Sequence, residues 1–159
     1  MGLVSLSALQ KIVGQLKGRH KKIVFTNGCF DLLHAGHITL LRKAKNLGDV
    51  LIVGLNTDRS VLKLKGKRHP VLPENERALL LSSLRDVDYV VFFSEPTPLN
   101  LIRSLAPDVL VKGADYKNSE IVGASWVISN GGRAVRIPLV KGRSSSSIFR
   151  KLKQLLDLR

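Results

Sequence analysis

Cysteine is nearly missing from this chain: Cys29 is the single one among 159 residues. One thiol cannot close an intramolecular disulfide, so a disulfide scaffold is excluded and a reducing, cytoplasmic setting is expected. Aromatic residues make up only 5%, which leaves little surface for stacking on single-stranded nucleic acid. No apolar run approaches the roughly 20 residues of a membrane-spanning helix, so no membrane association is expected. Nor does the N-terminus show a long apolar core leading to a small-residue cleavage site. Met1-Gly2-Leu3-Val4-Ser5-Leu6 misses the myristoylation pattern, because leucine stands where Ser or Thr is required. Acidic residues are scarce too, 12 against 26 Lys and Arg, for a net charge of +14.

Such a charge suits nucleic acid, an acidic membrane surface or small polyanionic substrates. The basic residues gather in two segments. One holds Arg59, Lys63, Lys65, Lys67, Arg68 and Arg77; the other holds Lys141, Arg143, Arg150, Lys151, Lys153 and Arg159. A solvated face is the ordinary meaning of such runs. At this length one domain is expected, residues 1–159, with an N-terminal helical segment over 1–20 and a core over 21–159.

Apolar residues at helical spacing mark a first helix from Leu6 to Leu16, ended by Gly18. Short apolar runs predict five strands: Ile23 to Thr26, Val50 to Leu55, Asp88 to Phe93, Val109 to Val111 and Arg133 to Pro138. Helices are expected between them, from Ile38 to Leu47, Glu74 to Leu84 and Pro98 to Leu105, and within 119–129. Ser144 to Leu158 reads as a closing helix, and residues 56–69 as a basic loop. Alternation of this kind implies α/β architecture: a doubly wound, Rossmann-like, mostly parallel sheet of five strands with helices on both faces. Ligands of such sheets bind at the carboxyl ends of the strands. The segments 26–37, 56–69, 112–116 and 139–147 all begin where a predicted strand ends, so one composite site is expected.

The richest of them is Thr26-Asn27-Gly28-Cys29-Phe30-Asp31-Leu32-Leu33-His34-Ala35-Gly36-His37. It joins a strand to a helix. Gly28 and Gly36 permit close backbone approach, and the helix aims unpaired N–H groups and its positive dipole end at the turn. Two of the four histidines sit there, three residues apart. Phosphate handling follows. A zinc site is the alternative, but no cysteine partner or carboxylate at matching spacing supports it, and no metal ligands are assigned. Cys29 reads as a small buried hydrophobe.

His34-Ala35-Gly36-His37 resembles the H-x-G-H signature of the nucleotidylyltransferase superfamily, and the longer string resembles its cytidylyltransferase-like branch. Within that branch, Leu64 to Val71 and Val111-Lys112-Gly113-Ala114-Asp115-Tyr116 are similar to the heptose-phosphate adenylyltransferases. That group usually has Arg directly before the proline; His69 stands there, with Arg68 one residue earlier. The resemblance covers about residues 21 to 155. It implies transfer of AMP from ATP, with Mg²⁺, to D-glycero-β-D-manno-heptose 1-phosphate. It also implies catalytic roles for His34, His37 and Lys65. Nucleotide contacts are implied for Asn27, Gly28, Cys29, Phe30, Gly36, Arg77, Gly113, Asp115, Ser144, Ser145 and Ser146. Sugar-phosphate contacts are implied for Asp31, Lys63, Arg68 and Lys112. The ordinary alternative for Arg77 is a surface salt bridge to Glu74. ATP and a sugar 1-phosphate are the expected partners, no specific nucleic acid is expected, and a homodimer is left open. Because no kinase precedes this segment, the chain is expected to work beside a separate heptose kinase. The rival readings are a cytidylyltransferase for glycerol or ethanolamine phosphate, a basic nucleic-acid-binding module, and an inactive relative of the fold.

Overall fold

In the computed structural model, which describes residues 2–66, 69–114, 121–138, 142 and 145–157, strands and helices alternate along the chain. The strands are β1 (Gly2–Leu3), β2 (Ile23–Gly28), β3 (Val50–Asn56), β4 (Tyr89–Phe93), β5 (Val109–Gly113) and β6 (Arg133–Ile137). The helices are α1 (Leu6–Gly18), α2 (Ala35–Lys45), α3 (Asp58–Lys65), α4 (Glu74–Ser82), α5 (Leu99–Leu105), α6 (Ala124–Ser129) and α7 (Ser145–Asp157). The sheet runs in the order β1-β4-β3-β2-β5-β6, and every one of its pairings is parallel.

Strand residues alternate between two cores, as a period of two requires. Ile23, Phe25, Val50, Ile52, Val91, Phe93 and Leu110 face α1, α5 and α6 through Leu9, Val13, Ile102, Leu105 and Val127. Val24, Leu51, Val53, Leu55, Val90, Val109 and Val111 face α2 and α4 through Leu41, Ala44, Ala78 and Leu81. All seven residues of β3 are buried because both faces of the sheet are covered. Carboxylates secure the amino-terminal edge: Asp108 accepts from the Ile23 amide at 2.7 Å and Asp88 from the Leu51 amide at 2.7 Å. Ligands of such sheets bind at the opposite, carboxyl-terminal edge.

Three expectations change. The sheet has six strands, not five: the added β1 is a two-residue edge strand paired with β4, too short to carry a sequence period. Residues 56–69 are not simply a basic loop, since α3 occupies Asp58–Lys65. Thr57 caps it by accepting from the Ser60 amide, and the Glu74 carboxylate accepts from the Asp58 amide at 2.6 Å. The helix after the signature also starts earlier than Ile38, at Ala35 with His34 as its N-cap.

β2 lies between β3 and β5. The chain leaves β2 towards β3 and β4, then returns to its other side as β5. The crevice at the carboxyl ends of β2 and β5 is therefore the topological switch point. Gly54, beside β2, lets the layers meet: a Cβ there would stand 2.8 Å from Phe25 Cζ and 3.1 Å from Leu101 Cδ2. Gly54→Ala should destabilise the fold by about 1–3 kcal/mol through overpacking, read as a lower urea midpoint. An unchanged midpoint would show slack between the sheet and α5.

Candidate active site

A cleft of about 540 Å³ opens at the switch point, within the usual range for small-ligand sites. Its lining draws on the carboxyl ends of β2, β3, β4 and β5 and on α2, α3 and α7. Two hydrogen bonds tie β2 to β5 across the crevice. Thr26 Oγ1 donates to the Val111 carbonyl at 3.0 Å, and Lys112 Nζ donates to the Asn27 carbonyl at 2.8 Å.

His34 and His37 stand on the first turn of α2, one as its N-cap and the other three residues on. Their rings stack with centroids 3.8 Å apart and planes inclined by 22°, and Phe30 lies 5.1 Å from His37. Both Nδ1 atoms are buried without a partner, as is Asn27 Oδ1. Burial lowers the pKa of His34. Burial, then the charges of His34 and Lys65, push His37 down to about 4, against a hydrogen bond with the Leu32 backbone. At neutral pH the pair is an uncharged set of polar groups beside a helix N-terminus, where an anion is favoured. Burial likewise pushes the Cys29 thiol up, outweighing Lys65, Arg77 and Lys112. A protonated thiol is no nucleophile.

The turn that carries these groups is shaped by Phe30, whose φ of 45° lies in the left-handed region. Such backbone is uncommon for a bulky residue and costs of order 1–3 kcal/mol. Gly28 makes room for it: a Cβ there would meet Phe30 Cε2 at 3.1 Å.

Asn27, Gly28, Cys29, Phe30, Asp31, His34, Gly36, His37, Lys65, Lys112, Gly113 and Ser145 all line the cleft. Ser146 lies in the first turn of α7, while Arg68, Asp115 and Ser144 lie outside the described residues. Three further residues sit as follows. Lys63 is exposed on α3 and does not line the cleft. Arg77 is 0% exposed, beneath the site and not in its wall. It donates to the Cys29 carbonyl, to the Leu72 carbonyl at 3.0 Å and to Asp58 at 2.6 Å. Its ion-pair partner is thus Asp58 and not Glu74. Asp31 does reach the cleft, but its carboxylate is committed to the protein. Oδ2 meets His69 Nδ1 at 2.8 Å, and Oδ1 accepts from the Val71 and Leu72 amides. Burial alone would raise the Asp31 pKa; these hydrogen bonds together hold it below the ordinary value.

Sequence reasoning missed Leu40, Phe93, Pro96 and Pro98 in the lining, and gave Asn56 no role of its own within the segment 56–69. Asn56 had a signal, a polar residue ending an apolar strand. Its Nδ2 donates to Ser60 Oγ at 3.0 Å. Among the described residues no cluster of three His, Cys, Asp or Glu could hold a metal ion, and no helix is long and apolar enough to cross a membrane.

A doubly wound parallel sheet with a cleft at its switch point is an architecture that nucleotide-binding enzymes share, and the family match makes this one a nucleotidyltransferase. The chain belongs to the cytidylyltransferase-like family, whose model matches residues 25–151. The bifunctional protein HldE of Citrifermentans bemidjiense is 51% identical over 148 residues, 93% of this chain and 30% of that protein. Its counterpart from Campylobacter concisus is 53% identical over 152 residues, 95% of this chain and 31% of that protein. The chain therefore spans about 30% of the length of these curated relatives. Among solved structures, a lipopolysaccharide core biosynthesis protein from Thermoplasma volcanium is 31% identical with a TM-score of 0.62, covering 76% of this chain and 98% of that one. A pantoate-beta-alanine ligase from Francisella tularensis shares the fold, with a TM-score of 0.64 at 17% identity over 96% of this chain and 77% of that one.

The depressed His37 pKa sets a pH dependence. Between pH 6.5 and about 4 the unfolded chain binds a proton at His37 that the folded chain does not. Stability is therefore lost as pH falls through that window, by about 3 kcal/mol at most. Urea titrations from pH 7 to pH 4 should show a shallower loss for His37→Gln than for the wild type. Parallel profiles would mean that His37 titrates normally.

Proposed function

We propose that the chain transfers AMP from ATP to D-glycero-β-D-manno-heptose 1-phosphate, releasing pyrophosphate and forming ADP-heptose. One observation carries the nucleotidyl-transfer part: the stacked His34–His37 pair at the start of α2 shares a cleft with Lys65 and Lys112. The heptose and the adenine rest on sequence likeness. They are supported by relatives about half identical over nearly the whole chain and by a solved relative titled for lipopolysaccharide core biosynthesis.

In this reading a phosphate oxygen of the sugar phosphate attacks the α-phosphorus. The bond from that phosphorus to the bridging oxygen breaks, and pyrophosphate leaves with the electron pair. Negative charge grows on the equatorial and departing oxygens, so preorganised donors matter more than covalent chemistry. His34 and His37 each offer the phosphate chain the single N–H of a neutral ring, that of His37 turning from the Leu32 backbone as the ligand binds, helped by the α2 amides. Lys65 supplies positive charge, and the Ser145 end of α7 cradles the far phosphates. Gly28 and Gly113 let the nucleotide lie close to backbone, and Asn27 Oδ1, a buried acceptor without a partner, receives a ligand hydroxyl or amine. Lys112 holds the Asn27 carbonyl in place. Mg²⁺ keeps several waters and binds chiefly through substrate phosphates; a cleft whose buried carboxylate, Asp31, is committed elsewhere fits an ion arriving on the triphosphate. When bound it neutralises the triphosphate charge. The net charge of +14 then serves small polyanions, and the partner is a sugar phosphate delivered by a kinase.

A pyrophosphate-release assay across nucleotides and sugar phosphates tests this. ATP with the heptose 1-phosphate should be turned over far faster than CTP with glycerol 3-phosphate; the reverse preference would replace the assignment with cytidylyl transfer. His37→Ala, folded by circular dichroism, should lose on the order of 10²–10³ in kcat, as loss of one preorganised donor does, with a smaller change in ATP affinity. Near-normal kcat would remove His37 from the mechanism.

A further inference from the structure

We propose that His69 is a positioning residue for this reaction, a latch that holds the lysine-bearing end of α3 and the start of α7 against the cleft. The inference rests on the nucleotidyl-transfer reading and adds a residue that lines no part of the cleft. His69 is held on two sides. Its Nδ1 lies 2.8 Å from Asp31 Oδ2, and its ring meets Phe149 of α7 edge-on, with centroids 5.5 Å apart. The Asp31 side chain is 1% exposed and that of His69 26%. Because the Asp31 pKa is lowered, the carboxylate is ionised and only accepts, so Nδ1 carries the proton and donates. The other Asp31 oxygen takes the Val71 and Leu72 amides, so one buried carboxylate secures the whole segment behind His69.

The backbone continues the connection. The His69 amide donates to the Gly66 carbonyl at 3.1 Å, and the Gly66 amide to the Leu62 carbonyl at 2.9 Å. Asp31, in the signature turn, is thus linked through His69 to the last turn of α3, which brings Leu64 and Lys65 to the cleft wall. Lys65 is a long, exposed side chain, and without a fixed helix end its ammonium would sample many positions at an entropic cost on binding. Phe149 extends the connection to α7, whose Ser145 also lines the cleft. A solvent-facing histidine would need neither a buried carboxylate nor an aromatic edge.

The test is a double-mutant cycle on pyrophosphate release with ATP and a sugar 1-phosphate. H69A should lower kcat/KM by roughly ten- to a hundred-fold, the range expected when a binding group is misplaced by about an ångström, with much of it in KM for ATP. H69N, which can present an amide N–H where Nδ1 stands, should recover most of that loss. On a K65A background H69A should cost far less than on the wild type, because His69 acts through Lys65. If H69A does not fold, F149L, which removes only the ring contact with α7, enters the same cycle and should show a smaller rise in KM for ATP. Wild-type turnover with H69A equal to wild type, or with H69A and K65A effects that multiply independently, overturns the latch alone. A wild-type chain that releases no pyrophosphate with any nucleotide and sugar phosphate removes the functional reading, and the latch with it.

Discussion

The cleft depends on one buried guanidinium. Arg77, fully enclosed, binds the Cys29 carbonyl, the Leu72 carbonyl and the Asp58 carboxylate. Those contacts join the signature turn, the segment leading into α4 and the start of α3. A buried arginine is tolerable only when its donors are satisfied, so the three attachments must keep their relative positions. Phe30 can then stay in left-handed backbone next to Cys29. The strain of that residue is offset by bonds made one residue earlier, and the turn delivers His34 and His37 to the head of α2. Asp31 repeats the device with the opposite charge, gathering His69, Val71 and Leu72.

This economy explains the charge of the site. A strongly basic chain would be expected to fill a phosphate site with cations, yet the groups at its head are imidazoles kept neutral by burial. Lys65 stands at the exposed rim, and Lys112 is partly occupied with the Asn27 carbonyl. Donors that are neutral and fixed add no repulsion to one another in the empty site, while the cations around them draw in a polyanion.

Much of this was legible in the sequence. Continuous apolar runs marked buried parallel strands, and the string from Thr26 to His37 marked the strand–turn–helix that became β2 and α2. The switch point followed from alternation of strands and helices. What escaped notice was non-local or too short. α3 hides behind its lysines: it is eight residues long, Val61 is its one buried apolar side chain, and its first turn is held by the Thr57 cap and, from outside, by the Glu74 carboxylate. β1 is two residues long. Glu74, three residues from Arg77, was the obvious partner, but the ion pair crosses 19 positions to Asp58, and nothing in local spacing announces that. Asp31 sits in the signature and lines the cleft, yet its acceptors are engaged by residues 38 to 41 positions away.

The central claim is that His34 and His37 form the phosphate-facing head of one nucleotide cleft. Its most direct measurement is a titration of histidine-selectively ¹⁵N-labelled protein with Mg²⁺ and ATP, followed through the imidazole nitrogens. The ring resonances of His34 and His37 should shift together and saturate at one common ATP concentration, while those of His20, in the turn after α1, stay in place. Saturable ATP binding that leaves both signature histidines unmoved would contradict the account.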